Sequence, residues 1–462
     1  DLSSVDEKGM ESMIKAIYGV EEFPKQFALQ IFNHSAGNPF FIEELCSLLR
    51  QEGSVLIEEG KLRLPQVMEQ ISFPQTVQAV IRAKLDRLGP EQKEVMRLAS
   101  VIGREFLQRI LEQIITRKEA LSPSLENLKR IDFIRQMENL PELTYQFNHV
   151  ITQEVTYQTL LIRQRSLLHR LVARTIEVLY AERLQEQFEV LAHHYGKSED
   201  WEKALYYQEM AGDKAARNFS LLDARTYYRK ALKLIDSQQK IMDEKPFGLK
   251  ARRIEISLKW AKISHYAWTE DSIQVLETSL AFAREMSNKS KIAHLTYWLG
   301  QRNYVSGNLK QAMEHFSNCI EFAEQSNEKA LLAQAYAAMG RINFFGAEYL
   351  KAEDFFKKSL PLLEELEEEE DVAYVKGTLS MAYTFVGDFE KAFGFAEKAI
   401  KISEETGNLS RLAFFHAISG MSFFFQGNWE KGIEASNQCI KIARPIGDVV
   451  TLFGGLLGSG YS

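Results

Sequence analysis

Gly300-Gln301-Arg302-Asn303-Tyr304-Val305-Ser306-Gly307-Asn308-Leu309-Lys310-Gln311-Ala312 decides the fold, because its small and turn-forming residues return at a fixed interval. On a ruler of 40 residues, Gly300, Gly340, Ser380, Gly420 and Gly460 share one phase. Twelve residues later come Ala312, Ala352, Ala392 and Gly432, and seven after those Cys319, Ser359, Ala399 and Cys439. Ser272 and Ser279 extend both columns one unit earlier. Turn signals recur between them at Gly307-Asn308, Gly387-Asp388 and Gly427-Asn428, with a weaker step at Gly346-Ala347.

Small residues at three fixed places let two antiparallel helices approach closely in each unit. The Gly-Asn or Gly-Asp step ends the first helix in a left-handed cap. Such a unit buries its apolar face only by stacking on its neighbours, which gives a one-dimensional array. The columns resemble the tetratricopeptide pattern, whose small residues stand at the same mutual offsets. That repeat is usually about 34 residues, so each unit here carries about six more, as longer helices. An earlier, weaker unit lies near 251–290, and a last one stops at Ser462.

In solenoids of this type the first helix of each pair lines the groove. That geometry puts His294, Tyr297, Gln301 and Tyr304 on the wall, followed by Gln334, Arg341 and Phe344. Tyr374, Met381 and Thr384 come next, then Phe414, Met421 and Phe424. An aromatic, Met-rich wall suits an apolar or amphipathic protein segment better than a peptide carboxylate. Packing between repeats is the competing role for each side chain. The acidic run Glu364 to Asp371 reads as a solvated helix end.

A chain of 462 residues exceeds one core and implies several domains. A net charge of -7 argues against a nucleic-acid surface. No apolar run reaches the roughly 18 residues of a membrane helix, and no leader pattern opens the chain. The three cysteines, Cys46, Cys319 and Cys439, are far apart and suit a reduced, cytoplasmic setting. Opening on Asp1 and stopping inside a patterned unit, the chain reads as part of a longer protein.

Residues 1–70 read as three helices and a short hairpin, in which Val55-Leu56-Ile57 and Leu62-Arg63-Leu64 flank Glu58-Glu59-Gly60-Lys61. The turn Ala36-Gly37-Asn38-Pro39 precedes the third helix, where a proline is tolerated in the first turn. Residues 71–158 read as three helices, one of them from Phe106 to Ile115, closed by a β-hairpin around Glu138-Asn139-Leu140-Pro141-Glu142. That set makes a winged helix. Residues 159–245 read as a helical linker with degenerate repeats, and Asp243 to Gly248 as the passage into the array at 250–462. The expected fold is therefore mainly α: a winged-helix domain followed by a tetratricopeptide-type α-solenoid.

Ser35-Ala36-Gly37-Asn38-Pro39-Phe40-Phe41-Ile42-Glu43-Glu44-Leu45 resembles the "GNP-F-x-E-E-L" segment of STAND-class signalling ATPases. Phe147-Asn148-His149-Val150-Ile151-Thr152-Gln153-Glu154-Val155-Thr156-Tyr157 is similar to their "F-x-H-x-x-x-x-E-x-x-Y" segment. Arg165-Ser166-Leu167-Leu168-His169 and Leu191-Ala192-His193-His194-Tyr195 fit as well, as does the order of lid, winged helix, linker and repeats. The resemblance covers the whole chain. It points to bacterial multidomain regulators in which such a module follows an adenylate-cyclase or protein-kinase domain, and to the maltose-activator type. It implies an upstream ATPase domain in the same parent chain, ATP or ADP with Mg bound there, and nucleotide-dependent oligomers of that parent. It also implies that Pro39 packs near the adenine and that His149 reaches the β-phosphate of ADP. Val150 departs from the pattern, since relatives carry an acid after the histidine.

The chemistry of a P-loop is missing here. Gly196-Lys197-Ser198 lacks a glycine four residues before the pair and follows a helix. The nine histidines show no His-Glu-x-x-His and no cysteines at zinc spacing, so neither a catalytic set nor a metal nor a resident cofactor is expected. Two readings remain. One is a regulatory fragment whose repeats hold a protein partner while lid and winged helix respond to nucleotide state. The other is a DNA-binding regulator that uses its winged helix, although the segment Ser122 to Ile131 mixes Lys129 and Arg130 with Glu126.

Overall fold

The structure is a computed structural model that describes residues 5–58, 60–64, 74–138, 141–241, 247–264 and 268–460. Glu59, Asn139-Leu140 and Asp243 to Pro246, which belong to the expected turns and passage, lie outside those residues. Two compact units meet in sequence at Ala211/Gly212.

The first unit opens with α1 (Glu7–Tyr18), α2 (Lys25–Ser35) and α3 (Pro39–Gln51). Asp6 caps α1 by accepting from the Gly9 amide at 2.8 Å, and Met10, Ile14 and Tyr18 form its buried stripe. Ala36 and Gly37 both take positive φ, which turns the chain sharply so that Asn38 can cap α3 with Pro39 in its first turn. Strands β1 (Leu56–Glu58) and β2 (Lys61–Arg63) form the expected hairpin, with Leu62 buried.

Next come α4 (Val77–Asp86), α5 (Pro90–Ile102), β3 (Glu105–Leu107), α6 (Gln108–Ile114), α7 (Leu121–Arg130), β4 (Ile134–Gln136) and β5 (Thr144–Phe147). The strands pair antiparallel in the order β3-β5-β4. This is the helix-and-hairpin set read from the sequence, with one strand more. The helix expected from Phe106 begins instead at Gln108. Gly103 ends α5, and all four residues of β5 are buried, so its second edge takes a strand. Phe106 then faces Tyr145 and Phe147, with ring centroids 5.9 and 5.5 Å away. Helices α8 (Val150–Gln158), α9 (Ile162–Leu179), α10 (Phe188–Gly196) and α11 (Trp201–Arg217) follow.

The second unit is an α-solenoid of the tetratricopeptide type. After α12 (Leu221–Ile241), α13 (Phe247–Ser264) and α14 (Ser272–Glu285), four helix pairs repeat. They are α15 (Lys289–Val305) with α16 (Leu309–Ser326), α17 (Lys329–Phe345) with α18 (Tyr349–Glu365), α19 (Glu369–Val386) with α20 (Phe389–Glu405), and α21 (Leu409–Gln426) with α22 (Trp429–Ile446). Helix α23 (Val449–Gly460) packs on α22 and α21.

The columns of small residues sit where the helices touch. Ala312, Ala352 and Ala392 are fully buried, as are Cys319, Ser359, Ala399 and Cys439. A Cβ on Gly300 would stand 2.7 Å from the Phe316 ring, and one on Gly340 2.5 Å from the Phe356 ring. At the corresponding positions the third unit carries Ser380 and Ala396, both buried, in place of glycine and phenylalanine. Its missing aromatic volume comes from the next unit: Phe415, fully buried, lies over Gly377 so closely that a Cβ there would collide with it.

The left-handed caps fall at Gly307, Gly387 and Gly427, as the turn signals suggest. In the second unit the glycine stands one residue early. Gly346 has φ -80°, and Ala347, at φ 59°, takes the left-handed position at the place the ruler gives to glycine elsewhere.

Candidate functional site

The first helices of successive pairs touch in series, α15 on α17, α17 on α19 and α19 on α21, so their outward positions form one continuous face. A cavity of about 650 Å³ opens on it. Helix α15 supplies Tyr297, Trp298, Gln301, Tyr304 and Val305, α17 supplies Gln334, Ala337 and Arg341, and α19 supplies Asp371, Tyr374 and Val375. Leu363 of α18 and Arg411 of α21 complete the lining.

Two guanidinium groups flank one ring: Arg341 lies 5.7 Å and Arg411 5.2 Å from the centroid of Tyr374. Arg411 is already engaged, by Asp371 at 3.7 Å and by the Glu370 carbonyl, to which it donates. Arg341 has no carboxylate at ion-pair distance among the described residues. Gln301 donates to the Tyr297 hydroxyl at 2.7 Å. Burial pushes the hydroxyls of Tyr297 and Tyr304 above their usual range, against the opposing pull of the Arg341 charge.

Of the wall residues expected from the sequence, Tyr297, Gln301, Tyr304, Arg341 and Tyr374 converge on this cavity, with Gln334 beside them. Phe344 does not. It is 5% exposed and packs in the core against Tyr349 and Phe385, because its position on α17 points between repeats. Met381 and Phe414 are half-buried against cores between units. Thr384 is buried and hydrogen-bonds to the Ser422 hydroxyl at 2.6 Å. Met421 and Phe424 are half-buried away from the cavity, Phe424 with its ring 5.0 Å from Trp429.

Trp298, Asp371 and Arg411 line the cavity without having been singled out. Asp371 and Arg411 share one position on the 40-residue ruler, one helical turn before Tyr374 and Phe414, and that spacing is the signal that could have found them. Asp371 thus separates from the acidic run, whose other members are mostly exposed at the α18–α19 turn.

In the first unit, His149 stands before α8, and its ring lies 4.3 Å from that of Phe40, the residue after Pro39. The two segments singled out by the STAND resemblance therefore touch. Behind them Glu44 of α3 and Lys84 of α4 form a buried ion pair at 2.8 Å. Lys129 of α7 is held by Glu126 at 3.0 Å.

His193 and His194 project differently from α10: His194 meets the buried His169 of α9, Nδ1 to Nδ1 at 2.9 Å, while the His193 ring packs edge-on against His169 with centroids 5.8 Å apart. The Tyr157 hydroxyl lies 2.9 Å from Nε2 of His169. Two assignments satisfy both contacts: Tyr157 donates to Nε2 and the Nδ1–H of His169 to His194, or the Nδ1–H of His194 donates to His169 and the Nε2–H of His169 to Tyr157. Both rings are then neutral. Burial holds His169 down to about 4, aided by His193 and Lys197, and His194 down to about 3, aided by His169 and His193. In the unfolded chain both titrate near about 6.5. The stability from keeping them neutral is complete above that value and falls as pH drops toward the folded values, at up to about 2.7 kcal/mol per pH unit for the pair. Thermal melts from about pH 7 to about pH 4 should show this decline. A His169→Gln/His194→Gln double variant should show a shallower one, and equal slopes would exclude the pair as its source. Among the described residues no group of histidine, cysteine or acidic side chains could hold a metal, and no helix is long and apolar enough to cross a membrane.

Residues 6–63 match a family model described only as a domain of unknown function (DUF8739). An uncharacterized protein of Rhizobium meliloti (strain 1021) is 26% identical over 202 residues, which is 43% of this chain and 19% of that protein. The chain therefore spans less than a fifth of that relative's length in the match. Among solved structures, a STAND signal-transduction ATPase with a tetratricopeptide repeat sensor from Pyrococcus horikoshii aligns over 98% of this chain and 75% of its own, at 12% identity and a TM-score of 0.45. Aspartyl phosphate phosphatase F from Bacillus subtilis aligns over 81% and 94%, at 12% identity and a TM-score of 0.42. With both scores below 0.5, the solenoid assignment rests on the packing described above.

Proposed function

We propose that this chain is the regulatory part of a larger signalling protein, in which the repeat array holds a segment of a protein partner. The observation that carries this reading is the cavity on the α15–α17–α19 face. Four aromatic rings, two arginines and two glutamines converge there, on an open face of the second unit. Rigid aromatic side chains on a preformed face bind at low entropic cost, which suits recognition more than chemistry.

The finer reading is that α1–α3 act as the lid of an upstream nucleotide-binding domain and α4–α8 as its winged helix, so that partner binding and nucleotide state are coupled. The Phe40–His149 contact, which ties the two resembling segments together, and the Glu44–Lys84 pair, which ties α3 to α4, support it. Catalysis belongs to that upstream domain in this reading. Calorimetry of the present chain with Mg-ATP is expected to give no micromolar binding, and such binding would overturn the domain assignment.

The groove is tested with a random twelve-residue peptide library displayed on phage and panned against the whole chain. Enriched peptides should lose their binding to a Tyr304→Ala/Tyr374→Ala variant whose circular dichroism is unchanged. Enrichment indifferent to both tyrosines would place recognition elsewhere.

A further inference from the structure

Two features of the cavity alter the expectation of a purely apolar partner. The first is Arg341. Its guanidinium is half-buried on the Tyr374 ring, beside the hydroxyls of Tyr297 and Tyr304, without a carboxylate among the described residues. A cation held partly out of water without a counter-charge is costly, and a ring face offsets only part of that cost. Arg411 differs, because Asp371 and the Glu370 carbonyl already occupy it. The lining therefore presents two arginines against one aspartate, a single uncompensated positive charge among aromatic walls, in a chain whose net charge is -7.

The second feature is a row of exposed apolar side chains along the same face. Val305, Phe345, Phe385 and Phe425 close their first helices at the ruler's spacing, 62%, 67%, 43% and 53% exposed. The Phe385 ring lies 5.8 Å from Phe425 and stacks at 5.6 Å on Tyr349. Val305 also lines the cavity, so the row leads out of it across the following repeats. A partner that fills the cavity can continue along the row, so the acid it brings lies inside a segment rather than at a chain end.

Resting on the groove reading, we infer that the cavity selects a protein segment carrying one internal acidic side chain beside an aromatic or branched apolar residue. The carboxylate meets the fork of Arg341 in a charge-assisted, two-pronged contact, which a lysine could not reproduce. The apolar neighbour lies among Tyr297, Trp298 and Tyr304, and the rest of the segment runs over the phenylalanine row.

The test takes the pool enriched on the wild-type chain from the random library and repeats the selection on Arg341→Gln. Wild-type peptides should carry Asp or Glu next to Phe, Tyr, Trp or Leu, and that signature should vanish on the variant. A synthetic copy of the most enriched peptide, followed by fluorescence anisotropy, should bind at least tenfold more weakly when its acid is changed to the amide. The same loss is expected when Arg341→Gln is made in the protein, with no further loss when both changes are combined. The peptide-side change needs no protein variant, so misfolding cannot mimic it. Enriched peptides that need Tyr304 but carry no acid would sink this inference and leave the groove reading standing. No Tyr304-dependent enrichment would sink both. Tighter binding of a phosphoserine copy than of the acidic one by tenfold or more would overturn the carboxylate in favour of a phosphorylated partner. A concentration-dependent dimer of the chain that Arg341→Gln breaks would mean that a second copy, offering its own Glu364–Asp371 run, is the occupant instead.

Discussion

Ala352→Trp is expected to destabilise the repeat array by about 3 kcal/mol, the upper end of what overpacking does. Ala352 is fully buried between α17 and α18, in a core with Ala337, Phe344 and Phe356. The Phe356 ring already lies against the backbone at Gly340, where even a Cβ would come within 2.5 Å. A core packed this closely leaves no room for an indole at a fully buried alanine, so the two helices must separate. Because each unit holds mainly to its neighbours, the loss should concentrate in the units flanking α18 and appear as an early step in urea melts followed by circular dichroism. Leu350→Trp, two residues away and 71% exposed, is the control, and it should change stability by no more than about 0.5 kcal/mol. Equal effects at the two positions would mean that the column is not a packing column.

The packing that this experiment probes was legible in the sequence because a repeat imposes the same steric demand at the same place each time. The columns at Gly300, Ala312 and Cys319 report close helix approach wherever the ruler lands. What the ruler could not show is exchange between units. It assumes that each pair fills its own space, whereas the third takes its aromatic ring from Phe415 in the fourth. Nor could it separate Phe344 from Phe345. Both columns are mostly aromatic, and adjacent positions differ by about 100° around a helix. One is core and the other is exposed, and only the direction of the neighbouring helix decides which. The cavity was half legible for a related reason. The tyrosines of α15 and Tyr374 of α19 stood out, but Arg411 gains its meaning from Tyr374 in the preceding unit and from Asp371 beside it. In the first unit, β3 escaped notice because three residues carry no periodicity of their own. The strand exists only because β5 offers it an edge.

The same limit applies to the acids of the lid segment. Glu43 and Glu44 are adjacent in sequence, yet Glu43 is exposed and Glu44 is buried against Lys84. The Lys84 ammonium also lies 5.6 Å from the centroid of the Phe133 ring, so it is surrounded by α3, α4 and the segment before β4. With side chains only 7% and 10% exposed, neither partner can turn to water if the other is removed. Glu44→Leu should therefore cost about 3–5 kcal/mol, because it strands a buried ammonium rather than merely deleting an attraction. Lys84→Met should cost a similar amount for the opposite charge. Combining Glu44→Leu with Lys84→Met removes both desolvation penalties and fills the site with apolar volume, so the double variant should recover to within about 1 kcal/mol of the parent chain. Hydrogen exchange of peptides from α3 and α4 is the appropriate measurement, since it reads the local opening that melting of the whole chain would blend with the solenoid. Strong protection in the double variant alongside fast exchange in each single one identifies the pair as the lock between α3 and α4. Additive losses would show instead that Glu44 and Lys84 contribute separately, and the lid would then be held to its neighbour by apolar packing alone.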